Sequence, residues 1–164
     1  MTEIKDDDYL VLYVIVRDLD SMTPGKMAAH SGHAANAFIH ENYISKVTSG
    51  HTVHNDVIRW ASSTSQGFGT QINLKAPWYQ AHETMREVRE HNKLIAANYV
   101  IDPTYPYEVT SEILRLINPE FHTAEATLLG NGNYRCFRKE ITAMYFFGLK
   151  STLSPFLGQY PLQP

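Results

Sequence analysis

The hydrophobic pattern along the chain predicts alternating strands and helices. Residues 9–16, YLVLYVIV, are continuously apolar and rich in β-branched side chains, which is typical of a strand buried on both faces. A polar loop follows, and a helix is then predicted over residues 24–43, with Thr23 as its N-cap and Pro24 as its first residue. Because a strand buried on both faces needs helices on both sides of its sheet, these two elements favour an α/β domain.

The middle of the chain continues this alternation. The pattern predicts a short helix at 56–61, a strand at 69–76, an amphipathic charged helix at 78–92 and a strand at 94–101. The pair Asp102-Pro103 is expected to end that strand.

The last part of the chain divides into an insertion, a strand and a tail. Residues 104–140 contain a short helix, TSEILRLI, and a hairpin, LLGNGNYRCF, whose Asn-Gly pair marks the turn. The apolar segment 141–149 is predicted as the last strand, and the tail after it, which holds three prolines, as irregular chain. We therefore expect one domain over residues 1–164, with residues 104–140 as an insertion within it.

Composition and charge narrow the functional classes. The chain has 164 residues and a formal net charge of -3, which disfavours non-specific coating of nucleic acid, because such binding needs many Lys and Arg contacts with phosphates. A single cysteine, Cys136, excludes a disulfide framework. His51 and His54 have a spacing that suits a metal, but no third ligand is evident, so neither a metal nor a cofactor is predicted. The acidic start and the lack of a long apolar run predict a cytoplasmic protein without a membrane partner.

The segment TPGKMAAHSGHAANAF, residues 23–38, carries the candidate chemistry. At helical spacing Lys26, His30 and His33 share one face. A cation in the first turn opposes the helix dipole, so Lys26 is a poor choice for stability alone but suits an anion held at the helix N-terminus. Gly25 and its small neighbours would let the backbone approach a ligand. The alternative is a tightly packed helix whose Lys and His side chains only face solvent.

The segment VIVRDLDSMTPGKMAAHSGHAANAF resembles the N-terminal signature of the type II peptidyl-tRNA hydrolases. The similarity covers Arg17, Met22, Gly25, Lys26, Ala28, Ala29, His33, Ala34 and Ala35 without a gap. The order GTQINLKA, charged helix, LIAANYVID follows the family's strand–helix–strand order, and ITAMYFFGLK resembles its final strand. The resemblance implies a three-layer α/β fold, with a four-stranded mixed sheet flanked by helices, and a homodimer.

The resemblance also implies a reaction. The substrate would be a tRNA-linked peptide, hydrolysed at the ester that joins the peptide to the tRNA. Lys26 matches the family's lysine and would stabilise an oxyanion or a phosphate, and Asp102 matches its aspartate and would orient or activate water. Thr104 is the nearest candidate for the family's threonine.

Departures from the family pattern leave a second function open. Two family lysines are replaced by Ser21 and Pro24, a common glutamine by His30, and the chain reads PTYPYEVT after Asp102. Fewer positive charges suit a small nucleotide, such as a cyclic nucleotide-type immune signal, which the protein would cleave or sequester. His30 beside Lys26 then supplies an acid–base or phosphate-binding group. A viral anti-defence protein that acts in the host cytosol fits this alternative.

The predicted site therefore has a catalytic set and a substrate-binding set. The catalytic candidates are Lys26, Asp102 and His30. The residues expected to contact the substrate are Arg17, Thr23, Gly25, His33, Thr104 and Tyr105.

Aromatic side chains of the insertion have two interpretations. They could stack on bases, or they could form a small core for the extra helix and hairpin. The set comprises Tyr105, Tyr107, Phe121, Tyr134 and Phe137. A third hypothesis for the whole chain is non-enzymatic, namely a domain that binds a protein partner.

Overall fold

The computed structural model describes residues 8–19, 22–91, 94–117 and 126–163. Within these ranges the protein is an α/β protein with a five-stranded mixed sheet. Its elements, in chain order, are β1 (Leu10–Val16), α1 (Pro24–Ile39), a π-helix (His40–Ile44), α2 (Ser45–Thr48), α3 (Asn55–Ala61), β2 (Thr70–Leu74), α4 (Trp78–Glu90), β3 (Ala96–Val109), α5 (Ser111–Ile117), β4 (Thr127–Leu128), β5 (Tyr134–Leu149) and α6 (Lys150–Leu157). None of the helices in these ranges combines the length and the apolar character needed to cross a membrane.

The chain divides into two compact units. The first comprises Met1–Val100 and Thr142–Pro164, and the second comprises Ile101–Ile141. The second unit nearly coincides with the predicted insertion 104–140. Each unit has its own hydrophobic core. Folding of the whole chain as one domain stays a prediction.

The sheet places β1 between a parallel and an antiparallel neighbour. The strand order is β2-β1-β5-β3, and the short β4 pairs with β5. Strand β1 runs parallel to β2, with Val11 opposite Thr70, and antiparallel to β5, with Leu10 opposite Leu149. The parallel pair is joined through α1, as a parallel connection requires a crossover.

Helices cover both faces of the sheet in the first unit. Side chains alternate along a strand, so the six buried residues of β1 divide between two apolar clusters. Helices α4 and α6 contribute to the cluster on one face, with Met85 and Leu157 among its members. Helices α1 and α3 contribute to the cluster on the other face, which includes Phe38 and Trp60.

Several sequence predictions are confirmed. The strand predicted at 9–16 is β1, and the helix predicted after it begins at Pro24 with Thr23 as its N-cap. The Asn-Gly hairpin is present as the β4–β5 pair, in which Leu128 lies opposite Tyr134. Gly132 has a φ of 81° in that turn, a backbone conformation that favours glycine.

The prediction that Asp102-Pro103 ends the third strand is wrong. Strand β3 continues through both prolines, Pro103 and Pro106, to Val109. It is the last strand in the sheet order, and an edge strand tolerates proline because only part of its N–H groups enter the ladder.

The last strand is longer than predicted. Strand β5 begins at Tyr134 rather than at residue 141, because the second arm of the hairpin continues into the apolar segment without a break. The helical region after β1 is also longer, since the π-helix and α2 extend it to Thr48.

The prediction of an irregular tail is wrong for residues 151–157, which belong to α6. Leu153 and Leu157 are fully buried in this helix. Burial of a leucine contributes about 1.5–3 kcal/mol, so the two together offset the roughly 3 kcal/mol that Pro155 costs inside a helix. Beyond α6, Leu162 pairs with Leu74, so the end of the tail covers the outer edge of β2.

Truncation of Phe38 tests this core. Its ring lies 4.6 Å from that of Phe147 and 5.3 Å from that of Trp60, measured between centroids, and it is fully buried. We expect Phe38→Ala to lower the free energy of unfolding in urea by about 3–5 kcal/mol. The half-exposed Phe68 supplies the matched control, and Phe68→Ala should cost about 0.5 kcal/mol or less. Equal losses in the two variants would contradict this core.

Candidate functional site

Lys26 lies in the first turn of the 16-residue helix α1. The Thr23 Oγ1 accepts a hydrogen bond from the Lys26 backbone N–H at 3.3 Å, which fixes the start of the helix. No acidic residue lies in this first turn. The helix dipole and the Lys26 ammonium group therefore add their positive potentials, an arrangement that favours an anionic ligand.

Gly25 leaves open space at the same helix end. A Cβ added at Gly25 would have no described neighbouring atom within 4 Å, and the same holds for Gly32 in the middle of the helix. Packing of the described residues therefore does not demand glycine at either position, although glycine costs roughly 1 kcal/mol in a helix. Close approach of a ligand to the backbone would explain the glycine in the first turn.

The two histidines predicted on the Lys26 face contact each other. The rings of His30 and His33 meet edge to face, with their centroids 5.3 Å apart. His33 is exposed, whereas His30 is only 5% exposed. His33 is therefore accessible, whereas His30 has little surface to offer a large substrate.

A cleft of about 240 Å³ opens beside the first two turns of α1. The ends of β1 and β2, the face of α1 that carries Met27 and Ser31, and the C-terminal segment surround it, whereas Lys26 is not among its lining residues. Its walls are formed by Val16, Pro24, Met27, Ala28, Ser31, Asn73, Leu74 and Gln163. The C-terminal segment is held there by the backbone hydrogen bond from Gln163 N–H to Asn73 O at 2.9 Å.

Polar side chains in this cleft were missed in the sequence analysis. Ser31 Oγ donates to Asn73 Oδ1 at 2.8 Å, and Gln71 Nε2 donates to both of these oxygens, at 2.9 and 3.0 Å. The Asn73 amide group makes no hydrogen bond through its nitrogen to the described residues, so it presents donors to the cleft. The sequence contains a signal for these side chains. Gln71 and Asn73 are two residues apart in a predicted strand and therefore lie on the same face, whereas Ile72 and Leu74 lie on the other.

Arg17 directly follows β1 and contacts a group of aromatic side chains that does not line the cleft. Its guanidinium carbon is 5.3 Å from the centroid of the Trp78 ring. The Trp78 ring contacts that of His82, and His82 Nδ1 is 3.0 Å from the Tyr99 hydroxyl. Cation and aromatic plane together form a surface suited to a phosphate and a base. In the sequence, only the position of Trp78 and His82 at the start of the helix after β2 could have indicated that they contribute to such a surface.

Burial lowers the pKa of His82 below its ordinary value of 6.5, and the positive charge of Arg17 lowers it further, while Glu83 acts in the opposite direction. His82 is consequently neutral at physiological pH. A neutral His82 ring can form a hydrogen bond with the Tyr99 hydroxyl without placing a second positive charge next to Arg17.

Asp102 belongs to the second unit, so its surroundings are those of that unit. The carboxylate Oδ1 accepts hydrogen bonds from the Thr104 backbone N–H at 2.8 Å and from Thr104 Oγ1 at 3.2 Å. The structure thus brings these two predicted residues together, with Asp102 half-buried and Thr104 exposed. Tyr105 is 2% exposed, which leaves almost no ring surface for stacking on a base.

Two of the five aromatic side chains named for the insertion belong to a small core. Tyr107 and Tyr134 pack against the buried residues Val109, Leu114 and Cys136. Of the remaining members of the set, Phe137 is 56% exposed and Phe121 lies outside the described residues. Among the residues that the structure describes, no group of three or more His, Cys, Asp or Glu side chains could hold a metal ion.

Comparison with known proteins adds no family assignment. No protein-family model matches the chain, and no curated protein is significantly similar to it.

The lowered pKa of His82 predicts a specific acid sensitivity. Because the folded state binds the His82 proton more weakly than the unfolded state, its contribution to stability is complete above pH 6.5 and is lost as the pH falls below 6.5 towards the folded-state pKa. Urea unfolding at several values between about pH 7 and pH 5 measures this loss. We expect His82→Asn to lose less stability over this range than the unmodified protein. The exposed His33 serves as the control, and His33→Asn should follow the unmodified protein; a His82→Asn slope as steep as theirs would contradict the assignment.

Proposed function

We propose that this protein is a hydrolase of the peptidyl-tRNA type, which cleaves the ester between a peptide and tRNA. The observation that carries the proposal is Lys26, a cation in the first turn of a capped helix. A different face of the same helix end, at Pro24 and Met27, borders the cleft at the ends of β1 and β2. The Lys26 charge opposes the helix dipole, so its place in the first turn is better explained by a negative charge on a ligand than by stability.

The reaction needs positive charge at this point. Water adds to the ester carbonyl carbon, the carbonyl oxygen becomes an oxyanion, and collapse of the intermediate releases the tRNA 3′ hydroxyl. The Lys26 ammonium group would stabilise the oxyanion or a nearby phosphate, and the helix N-terminus adds to that stabilisation. Donors from Asn73 suit the acceptor-rich backbone and ester of such a substrate.

The roles of the other residues rest on the resemblance to the type II peptidyl-tRNA hydrolases. That resemblance gives Asp102 the task of orienting water, with a threonine nearby, and the hydrogen bonds between Asp102 and Thr104 are consistent with it. An α/β protein with a mixed sheet is compatible with the fold that the resemblance implies. The family's homodimer stays a prediction.

A second candidate is a small nucleotide as ligand or substrate. Arg17 and Trp78 favour it, because a guanidinium group over an indole ring can hold a phosphate and a base together. The burial of Tyr105 counts against stacking by that residue.

Hydrolysis assays with Lys26→Ala test the proposal. We expect the unmodified protein to release free tRNA from peptidyl-tRNA, and Lys26→Ala to lower kcat by about 100-fold or more, as the loss of an oxyanion-stabilising group does. The exposed Lys75 gives the matched control, and Lys75→Ala should retain full activity. Asp102→Asn should lose activity as well if it orients water.

The same assays separate the two candidates. A panel of linear and cyclic nucleotides, followed by chromatography, replaces peptidyl-tRNA as substrate. Turnover of a nucleotide but not of peptidyl-tRNA would overturn the first candidate in favour of the second. No turnover of either substrate at high protein concentration would overturn both enzymatic proposals.

Gly25→Ala tests whether a ligand approaches the helix backbone. Alanine fits the open space, so this variant should raise the free energy of unfolding by roughly 0.5–1 kcal/mol. Its methyl group would at the same time obstruct the ligand, so activity should fall. Gly32→Ala, with equally open surroundings in the middle of α1, should gain stability without losing activity. Full activity in Gly25→Ala would contradict the backbone contact.

A further inference from the structure

A second cavity lies in the first unit and is lined by none of the residues assigned above. It is open to solvent, has a volume of about 350 Å³ and is lined by residues of the π-helix, α2, α3 and the segments that precede α3 and β3. This volume falls within the roughly 300–1,000 Å³ of small-molecule sites, which combine apolar walls with a few polar groups.

The lining includes a cation, Lys46, and a ring nitrogen donor, His54, beside the hydroxyl of Thr52. His54 caps α3 by accepting the Asp56 backbone N–H on its Nδ1, at 3.2 Å. A ring nitrogen that accepts carries no proton, so the neutral His54 ring bears its hydrogen on Nε2 and remains a donor there. The nearby Asp56 carboxylate pairs with Arg59 at 2.9 Å, which compensates its charge. Lys46 therefore gives the lining its positive charge, and His54, with Asp56 Oδ2 3.8 Å from its Nδ1, adds a neutral donor.

The π-helix supplies a fixed acceptor on the cavity wall. Asn42 donates through Nδ2 to the Phe38 carbonyl at 3.0 Å and to the Tyr145 hydroxyl at 3.2 Å. Because the carbonyl can only accept, the amide orientation is determined, and the Asn42 Oδ1 is left as an acceptor. π-Helical turns are rare and occur frequently at functional sites.

A partly buried hydrogen-bond network holds the π-helix in place. The Tyr145 hydroxyl donates to Glu41 Oε2 at 2.5 Å, and Asn98 Nδ2 donates to the same oxygen at 3.0 Å. Burial, and after it the hydrogen bond to Glu41, raise the pKa of Tyr145, so this hydroxyl keeps its proton as a donor. The Glu41 charge is thereby stabilised within the protein and does not require a cation from a ligand.

The remaining wall is apolar. Val53, Val57 and Ile95 line it, and Val57 is 1% exposed. Apolar surface beside a lysine and a histidine donor suits a ligand with one charged end and a short hydrocarbon body.

We propose that this cavity binds a small organic anion, a carboxylate or a phosphate ester, whose charged group meets Lys46 and His54 and whose apolar body lies against Val53, Val57 and Ile95. The site is independent of Lys26 and of the proposed hydrolysis.

Amide chemical shifts in ¹⁵N-labelled protein test the proposal. Sodium hexanoate and hexyl phosphate are titrated separately at neutral pH and constant ionic strength. Saturable shifts centred on residues 42–46 and 52–58, with millimolar affinity for at least one probe, are expected. The tighter of the two identifies the preferred anion. Hexanamide, which lacks the charge, and acetate, which lacks the apolar body, should each bind about tenfold more weakly.

Variants assign the binding to this cavity. Lys46→Met keeps the apolar stem and should weaken the binding of the tighter probe about tenfold, whereas Lys75→Met, a change at an exposed lysine outside the cavity, should leave it unchanged. His54→Asn retains a capping oxygen but removes the Nε2 donor, and it should weaken binding severalfold. Absence of saturable shifts with both anions, or equal affinity in Lys46→Met and the unmodified protein, would overturn the proposal. Lys26→Ala should bind both probes normally, so failure of the hydrolase proposal leaves this result intact.

Discussion

Burial of β1 on both faces is the constraint on which the first unit depends. Residues 11–16 are at most 5% exposed, and their alternating side chains enter two different apolar clusters. A strand of this kind is stable only with strands on both sides and helices above and below. Strands β2 and β5 and the helices α1, α3, α4 and α6 meet that requirement. The same arrangement fixes where the chain leaves the sheet, and hence where α1 begins.

The candidate site follows from that position. Helix α1 starts a few residues after β1, so its first turn lies by the end of the sheet, where Thr23 caps it and Lys26 adds a positive charge. The adjacent cleft receives polar groups from a second strand, through Asn73, and from the C-terminal segment, through Gln163. A helix end that has a cation, a glycine that packing does not require and amide donors nearby suits a ligand rich in negative charge and acceptors.

Sequence patterns predicted what depends on local chemistry. β1, the Thr23 cap and the Asn-Gly turn were all predictable, because apolar runs, capping residues and turn residues act within a few positions. Features that depend on distant partners were not. Pro103 continues a strand because β3 lies at the sheet edge, and Leu153 makes the tail helical because the core accepts it. The contacts of Arg17 and Asn73 likewise depend on residues far away in the chain.

The proposed function requires that the ligand binds at the N-terminus of α1. The most direct test of this requirement is chemical-shift mapping with a tRNA acceptor-stem minihelix that carries a non-hydrolysable peptidyl amide at its 3′ end. We expect saturable shifts centred on residues 23–31 and on Asn73, and we expect Lys26→Ala to abolish them. Saturable binding that shifts only residues remote from α1, or that persists unchanged in Lys26→Ala, would contradict the proposed function.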